Sequence, residues 1–225
     1  MSSSADAVKL VQPIFKRPDL TDERWHYHWR HVHGPVAGEI TLLKRYVQLH
    51  RIAPVLPGLQ PYGCSGIVEV WFDKLEDAVA LGSDPTYLEG AHVDEPNFLD
   101  VERSPGYMTT ERALVDEEYP PDAGKAVLLV SRRRGLDGEE FEQRGAGYLD
   151  ALASVPGLRR LGHHTVGEQP ALPFHTVDIL VFDTVAAMED AWRSDQATGA
   201  LEALQEIADM TRTYGFAAHE QRIIW

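Results

Sequence analysis

Apolar and polar positions follow the same order twice along the chain. Each half opens with an apolar, strand-like run, a basic pair and a helix start, first in "VKLVQPIFKRPDLTDERW" and again in "AVLLVSRRRGLDGEEF". Later, "GIVEVWFDKLEDAVALGSD" matches "HTVDILVFDTVAAMEDAWRSD", where a strand ends in Phe-Asp and a helix follows. The pattern predicts the order β-α-β-β-α-β in each half, with Thr21 and Asp137 as helix N-caps.

This order is that of the ferredoxin-like unit, whose helices cover one face of a four-stranded sheet. The other face is apolar, so we expect two such sheets to cover each other within the chain. The predicted fold class is therefore α+β, with two ferredoxin-like repeats forming an intrachain, pseudo-dimeric α/β barrel. Two separately tethered domains are the alternative. The predicted organisation is a disordered N-terminus (1–7), a first repeat (8–115), a linker (116–124) and a second repeat (125–225).

Composition and charge narrow the class of protein. The 225 residues are 44% hydrophobic and 25% charged, which is typical of globular proteins. A net charge of -14 disfavours a nucleic-acid partner and an anionic membrane surface. The opening "MSSSADA" lacks an apolar signal core, no apolar run is long enough to span a bilayer, and the single cysteine, Cys64, excludes an internal disulfide. These features predict a cytoplasmic protein.

The stretch "WHYHWRHVHGP" carries four histidines on a predicted helix over Thr21–Val36. At about 100° per residue the buried stripe of that helix consists of Trp25, Trp29, Val32 and Val36. His33 flanks this stripe near the helix end, where its imidazole either borders a pocket as an acid–base group or interacts with the helix dipole. His26 and His33 share a side but lie two turns, about 10 Å, apart, so we predict no metal site.

Polar residues alternate with apolar ones in two predicted strands. Tyr46, Gln48 and His50 share one face of the first strand, which must point into a pocket or, as on many edge strands, into solvent. A phenol and an imidazole together are suited to polarising a carbonyl and moving a proton. In the second strand Glu69 shares a face with Trp71 and is either a buried acid–base carboxyl or the partner of Lys44 or Arg45 in a salt bridge.

Two further patterns concern the location of a site. The segment "HVDEPNFLD" supplies His92, Asp94 and Asn97 near Phe98, and it either closes over a pocket or starts a capped helix. Five polar or aromatic residues of the first half also align with apolar or small residues of the second. The aligned pairs are His33 with Leu149, Trp29 with Gly145, Tyr46 with Leu161, His50 with Thr165, and Glu69 with Ile179. This exchange predicts one functional site, in the first half.

The first half resembles the EthD family of the dimeric α/β-barrel superfamily. The matching pieces are "KRPDLTDERWHYHWRHVHGPV", "LKRYVQLHR", "GIVEVWFDKLEDA" and "DEPNFLD". The resemblance covers roughly residues 8–115 and implies that the second half is a degenerate repeat. It also places the family's characteristic histidine at His33. Related barrels include polyketide cyclases and dehydratases, lactone isomerases, small monooxygenases and haem-handling enzymes, so the fold alone does not select one reaction.

The leading hypothesis is a cofactor-independent enzyme that performs acid–base chemistry, such as dehydration, cyclisation or isomerisation, on a small carbonyl-bearing or aromatic substrate. Catalytic roles are predicted for His33, Tyr46, His50 and Glu69, and substrate-binding roles for Trp29, Trp71, Gln48, Asp94, Asn97 and Phe98. An alternative is a non-catalytic accessory protein that binds a small ligand or haem for an oxidative system. A third is a cofactor-free monooxygenase. Assembly as a homodimer is left open.

Overall fold

The computed structural model describes residues 8–53, 55–166 and 174–225. The predicted disordered N-terminus, residues 1–7, lies outside these ranges. The described chain divides into two compact units. The first unit comprises the described residues up to Arg51 together with Gly63–Thr109 and Glu220–Trp225, and the second comprises Ile52–Tyr62 and Thr110–His219.

The first unit contains an antiparallel sheet in the order β4-β1-β3-β2. Its strands are β1 (Val8–Ile14), β2 (Arg45–Arg51), β3 (Gly66–Phe72) and the start of β4 (Tyr107–Asp116). Its helices are α1 (Asp22–His28), α2 (Gly34–Ala37), α3 (Leu75–Ala80) and α4 (His92–Phe98). A π-helical turn over Trp29–His33 joins α1 to α2, a 3-10 turn over Leu81–Ser83 follows α3, and a second π-helical turn over Tyr87–Ala91 precedes α4.

The second unit contains an antiparallel sheet in the order β6-β7-β5-β8. Its strands are β5 (Gly124–Val130), β6 (Leu158–Val166), β7 (Thr176–Phe182) and most of β8 (Tyr214–Ile224). Its helices are α5 (Gly138–Ala153), α6 (Val185–Trp192) and α7 (Asp195–Ile207). The order β-α-β-β-α-β thus occurs in each half of the chain.

The predicted fold class is confirmed. Each unit is a four-stranded antiparallel sheet that carries helices, which is the α+β class. Both predicted N-caps are also present, because the side chains of Thr21 and Asp137 accept hydrogen bonds from the backbone N–H groups of Arg24 and Glu140. Within the described ranges, no helix has the length and apolar character needed to cross a membrane.

Cross-strand register decides which side chains of the first unit face its helices. Tyr46 pairs with Val70 and Gln48 pairs with Val68, whereas Val47 pairs with Glu69. Residues opposite one another in an antiparallel pair lie on the same face of the sheet. The valines of β3 therefore share the face of Tyr46, and Glu69 lies on the other face.

A glycine allows the first helical segment to approach this sheet closely. A Cβ atom at Gly66 would lie 2.5 Å from the carbonyl oxygen of Leu49 and 2.7 Å from the indole ring of Trp29. The indole therefore occupies the space above Gly66 that any other residue would fill. This contact fixes the helical segment over β2 and β3, which together with that segment form the walls of the site.

Candidate functional site

A cavity of about 440 Å³ lies between the sheet and the helical segments of the first unit. Most of its wall is apolar, formed by leucine, isoleucine, valine and phenylalanine side chains of β1, β3 and the helical segments. Its polar lining consists of Gln12, His33, Tyr46, Tyr87, His92 and Glu95, with the indole of Trp29 beside them. An apolar cavity with a few convergent polar groups has the general form of a small-molecule site.

The π-helical turn Trp29–His33 directs His33 into this cavity. The helical periodicity predicted that Val32 belongs to the buried stripe, and this prediction is wrong. Val32 is 40% exposed, whereas His33 is 6% exposed. The buried positions follow one another every four residues, with His33 below Trp29 and Ala37 below His33. His33 therefore lies on the buried face of this segment.

His33 and Asp94 form a dyad at the cavity wall. Asp94 Oδ2 lies 3.1 Å from His33 Nδ1, and Asp94 Oδ1 accepts hydrogen bonds from His28 Nε2 at 2.9 Å and Asn97 Nδ2 at 3.1 Å. Burial lowers the pKa of His33 below its ordinary value, against the opposing effect of the Asp94 carboxylate. His33 is therefore neutral near pH 7, with its proton on Nδ1 and a lone pair on Nε2.

The Asp94 carboxylate remains ionised in this setting. Burial, the largest effect, raises its pKa, but the hydrogen bonds from Asn97 and His28 outweigh burial and leave the pKa of Asp94 below its ordinary value. The ring of Phe98 packs against the His33 ring at 4.6 Å and stacks on the His28 ring at 5.3 Å. The imidazole is thus held in place by Asp94, Asn97 and Phe98. Such neighbouring residues orient the group that carries out proton transfer.

Tyr46 presents a neutral phenol to the same cavity. Gln48 Nε2 donates to the phenol oxygen at 3.0 Å and to the carbonyl oxygen of Trp29 at 2.8 Å. Burial raises the pKa of Tyr46 well above its ordinary value, against the effect of the Gln48 hydrogen bond. Within the described residues the phenol proton has no protein acceptor, so it is available to an acceptor inside the cavity.

A chain of side-chain hydrogen bonds continues from Gln48 toward the surface. Gln48 Oε1 lies 3.0 Å from His50 Nε2, and His50 Nδ1 lies 2.8 Å from Nδ1 of the half-buried His26. Because both Gln48 N–H groups are already used, His50 must donate from Nε2 and accept at Nδ1. The face predicted for Tyr46, Gln48 and His50 is therefore real and buried, and only Tyr46 of the three lines the cavity.

Glu69 and Trp71 do not join the cavity residues. Glu69 is buried on the opposite face of the sheet, where it pairs with Lys9, and the Lys9 ammonium lies 4.1 Å from the centre of the Trp71 ring. The salt-bridge partner expected from the sequence, Lys44 or Arg45, is replaced by Lys9 because β1 lies beside β3 and sets Val11 opposite Glu69. These two residues are therefore separated from His33 and Tyr46 by the sheet.

The cavity has a second polar cluster, of which the sequence analysis singled out only His92. Tyr87 Oη donates to Glu95 Oε1 at 3.0 Å, and Glu95 Oε2 lies 3.3 Å from His92 Nδ1. Burial, the largest effect, raises the pKa of Glu95 above its ordinary value despite the hydrogen bonds from Tyr87 and His92. Tyr87 lies in the second π-helical turn and Glu95 in the helix that follows it, and no periodic pattern in the sequence singles out these two residues.

The second unit also holds a buried polar group that the sequence comparison missed. Tyr148 Oη donates to Asp178 Oδ2 at 2.7 Å, and His163 Nδ1 lies 2.6 Å from Asp178 Oδ1. Leu149 and Leu161 pack in the apolar core beside this trio, as the exchange of polar for apolar residues predicted. The exchange is nevertheless incomplete. At the position next to Ile179, the second half has the polar residue, Asp178, where β3 of the first half has a valine.

Among the described residues, no group of three or more His, Cys, Asp or Glu side chains could hold a metal ion. Cys64 is buried as a free thiol, and burial raises its pKa to about 12. The titratable groups that line the cavity are the imidazole, phenol and carboxyl groups described above.

Comparison with known proteins shows the fold of the chain and a family match within its first half. An anthrone oxidase-like protein of known structure superposes with a TM-score of 0.65 at 11% identity, covering 99% of this chain and 96% of the other, which shows a shared fold through both halves. Residues 17–102 match the EthD domain family. This match confirms the resemblance predicted for the first half, and it includes His33, Tyr46, Asp94 and Glu95.

Two curated relatives are similar over part of the chain. Dehydratase aurZ of Gibberella zeae is 28% identical over 112 residues, covering 43% of this chain and 72% of the relative. Decarboxylase nsrE of Aspergillus novofumigatus is 24% identical over 104 residues, covering 40% of this chain and 68% of the relative. Both relatives are named as enzymes, one as a dehydratase and the other as a decarboxylase.

Proposed function

We propose that the cavity of the first unit is the active site of a cofactor-independent acid–base enzyme of the lyase type. Its substrate would be a small carbonyl-bearing compound with an aromatic or otherwise apolar body, which suits the apolar wall. The observation that carries this proposal is that an oriented neutral imidazole and a phenol proton donor line one buried cavity. The dehydratase and decarboxylase relatives support enzymatic activity.

His33 is assigned the role of general base. Asp94 accepts from Nδ1, so the Nε2 lone pair is the basic position, and the ionised carboxylate stabilises the imidazolium that forms when Nε2 takes a proton. The lowered pKa keeps the base unprotonated near neutral pH. This is the arrangement in which a carboxylate holds a histidine in the tautomer needed for proton abstraction.

Tyr46 is assigned the role of stabilising the developing oxyanion. When a proton leaves the carbon next to a carbonyl group, negative charge moves to the carbonyl oxygen. The Tyr46 phenol would donate a hydrogen bond to that oxygen while Gln48 holds the phenol in position. The raised pKa of Tyr46 means that the phenol donates without transferring its proton.

The proposed reaction is the loss of water from a β-hydroxy ketone. The α C–H bond breaks and its proton goes to His33 Nε2, the electron pair forms the enolate, and the β C–O bond then breaks as the C=C double bond forms. The departing oxygen takes up one proton and leaves as water, so atoms and charge balance once His33 returns its proton to solvent. Exchange of the α-hydrogen with solvent tests the first half of this sequence alone.

The experiment uses the aldol of benzaldehyde and acetone as a probe. Loss of water is followed by the absorbance of the conjugated enone, and α-hydrogen exchange is followed by NMR in D₂O. We expect His33→Asn, which retains an amide donor for Asp94, to slow both processes by about 10²–10⁴-fold. Leu149→Ala changes the aligned position of the second half, and we expect it to cost about 2–5 kcal/mol of stability as a core truncation while activity persists.

The proposal fails if the intact protein accelerates neither water loss nor α-hydrogen exchange over buffer across a panel of aryl β-hydroxy ketones. It also fails if His33→Asn behaves as the intact protein. A Soret band after mixing with haem that His33→Asn removes would favour the accessory haem-binding alternative instead.

A further inference from the structure

Glu95 occupies a second wall of the cavity that contains His33 and Tyr46. Its side chain is 20% exposed, and both carboxyl oxygens have a partner: Oε1 accepts from Tyr87 Oη, and Oε2 faces His92 Nδ1. Tyr87 Oη donates to Oε1 at 3.0 Å and also lies 3.5 Å from His92 Nδ1. With Oε1 accepting from Tyr87, the acid form of the carboxyl group carries its proton on Oε2, where it faces the imidazole of His92 or a ligand.

Two neighbouring carboxyl groups of α4 have opposite surroundings. Asp94 receives hydrogen bonds from His28, His33 and Asn97 and is held as a carboxylate. Glu95 receives one hydrogen bond from a neutral phenol and shares its second oxygen with His92, in a wall of apolar side chains. When the surroundings of two nearby carboxyl groups move their pKa values apart, one group stays charged and the other can act as an acid.

We infer that Glu95 is the general acid of this cavity and protonates the group that leaves the substrate. This inference rests on the proposed function and adds the residue that its second half requires. As the β C–O bond breaks, the Glu95 Oε2–H bond breaks and the proton joins the departing hydroxyl oxygen, which leaves as water. The Glu95 carboxylate then regains a proton from solvent through His92, whose half-exposed ring has Nδ1 3.3 Å from Oε2.

The raised pKa of Glu95 agrees with this role, since an acid must hold its proton near the working pH. His33 and Glu95 then carry out opposite transfers, one removing the α-proton and the other supplying the proton for the leaving oxygen. Tyr87 orients the carboxyl group without exchanging a proton, so it is a positioning residue.

The test separates protonation of the leaving group from the rest of the reaction. It compares two probes that share one ketone, a β-hydroxy compound whose leaving group needs a proton and the β-acetoxy compound whose acetate leaves without one. We expect Glu95→Gln to slow loss of water by about 10²–10⁴-fold and to leave loss of acetate and α-hydrogen exchange within about threefold of the intact protein. Glu89→Gln, an exposed position of the π-helical turn before α4, is the matched control and should leave all three rates unchanged.

Two results would overturn the inference. Equal slowing of water loss and acetate loss would show that Glu95 acts on binding or folding rather than as an acid, and unchanged water loss would show that it has no part in the reaction. Failure of the proposed function is distinct from both, because the intact protein would then turn over neither probe and exchange no α-hydrogen.

Discussion

Tyr46→Phe removes one oxygen atom from the cavity and leaves the ring that packs against the sheet. The substitution deletes the phenol that accepts from Gln48 Nε2 at 3.0 Å and the proton that would meet the substrate carbonyl. Gln48 itself is fully buried and keeps its second donor bond to the carbonyl oxygen of Trp29 at 2.8 Å. The change therefore leaves one buried N–H group without an acceptor.

The expected loss of stability follows from that single group. A buried donor that loses its partner costs about 1–3 kcal/mol. For a chain of this length, that is a fall in Tm of roughly 2–4 °C per kcal/mol. The protein should stay folded, because the apolar ring and its contacts in the core remain.

The expected loss of activity is larger than the loss of stability would explain. Removal of one hydrogen-bond donor to a developing oxyanion costs about 10²–10³-fold in kcat, or about 2.7–4 kcal/mol in the barrier. Because the charge develops only in the transition state, kcat should fall while KM changes little. The assay is enone formation from the aryl β-hydroxy ketone at saturating and subsaturating concentrations, with thermal unfolding measured on the same samples.

Tyr148→Phe is the matched control because it removes the same atom from another buried tyrosine. Tyr148 Oη donates to Asp178 Oδ2 at 2.7 Å in the second unit, so its loss should cost a similar amount of stability and leave activity intact. If Tyr46→Phe and Tyr148→Phe lower kcat equally, the phenol of Tyr46 has no catalytic part and the reasoning is refuted.

Three further predictions follow from the packing and the titrating groups. Gly66→Ala should lower the free energy of unfolding, measured by chemical denaturation, by about 1–3 kcal/mol or more, because its Cβ would overlap a carbonyl oxygen and an indole ring. Gly147→Ala, with nothing within 4 Å of its Cβ, should instead stabilise helix α5 by about 0.5–1 kcal/mol. Equal effects of the two substitutions would contradict the packing described. Burial lowers the pKa of His163, but its carboxylate partner outweighs burial and leaves that pKa above 6.5. The stability that His163 contributes is therefore present below pH 6.5 and is lost as pH rises through the folded-state pKa. His163→Gln should destabilise the protein more at about pH 6 than at about pH 9, and a constant difference between the two pH values would count against this reasoning. The pKa of His33 lies below 6.5, so kcat/KM should rise as pH rises through the pKa of His33. Asp94→Asn should lower the maximum of kcat/KM and move the acidic limb of the profile to lower pH. An acidic limb that moves to higher pH would contradict the dyad.

Strand periodicity made part of the site predictable. Alternation alone placed Tyr46, Gln48 and His50 on one face, and the hydrogen bonds that join them confirm it. The same rule could not decide how neighbouring strands align, since alternation fixes only the two faces of one strand. Val47 lies opposite Glu69, and this register sends the Glu69 carboxyl away from the cavity.

Helical periodicity placed His33 beside a pocket but misplaced Val32, because it assumes 3.6 residues per turn throughout. The structure has a π-helical turn at that point, and no residue type in the sequence marks it. Glu95 and Tyr87 were missed for a related reason: the cavity brings together side chains from separate helical segments, and their distance in space has no signature in the spacing of one segment. The roles predicted for all these residues stay predictions until they are tested.

The helical segment that carries His33 also has an evolutionary consequence. The matching helix of the second half, α5, runs unbroken over Gly138–Ala153 with Leu149 at the aligned position. Trp29 aligns with Gly145 and His33 with Leu149, so the two segments have the same number of residues, and both His33 and Leu149 are buried. One substitution at this position therefore separates a helix that presents an imidazole to a cavity from a helix that only fills space, so copies of this domain could gain or lose that group without rebuilding the fold.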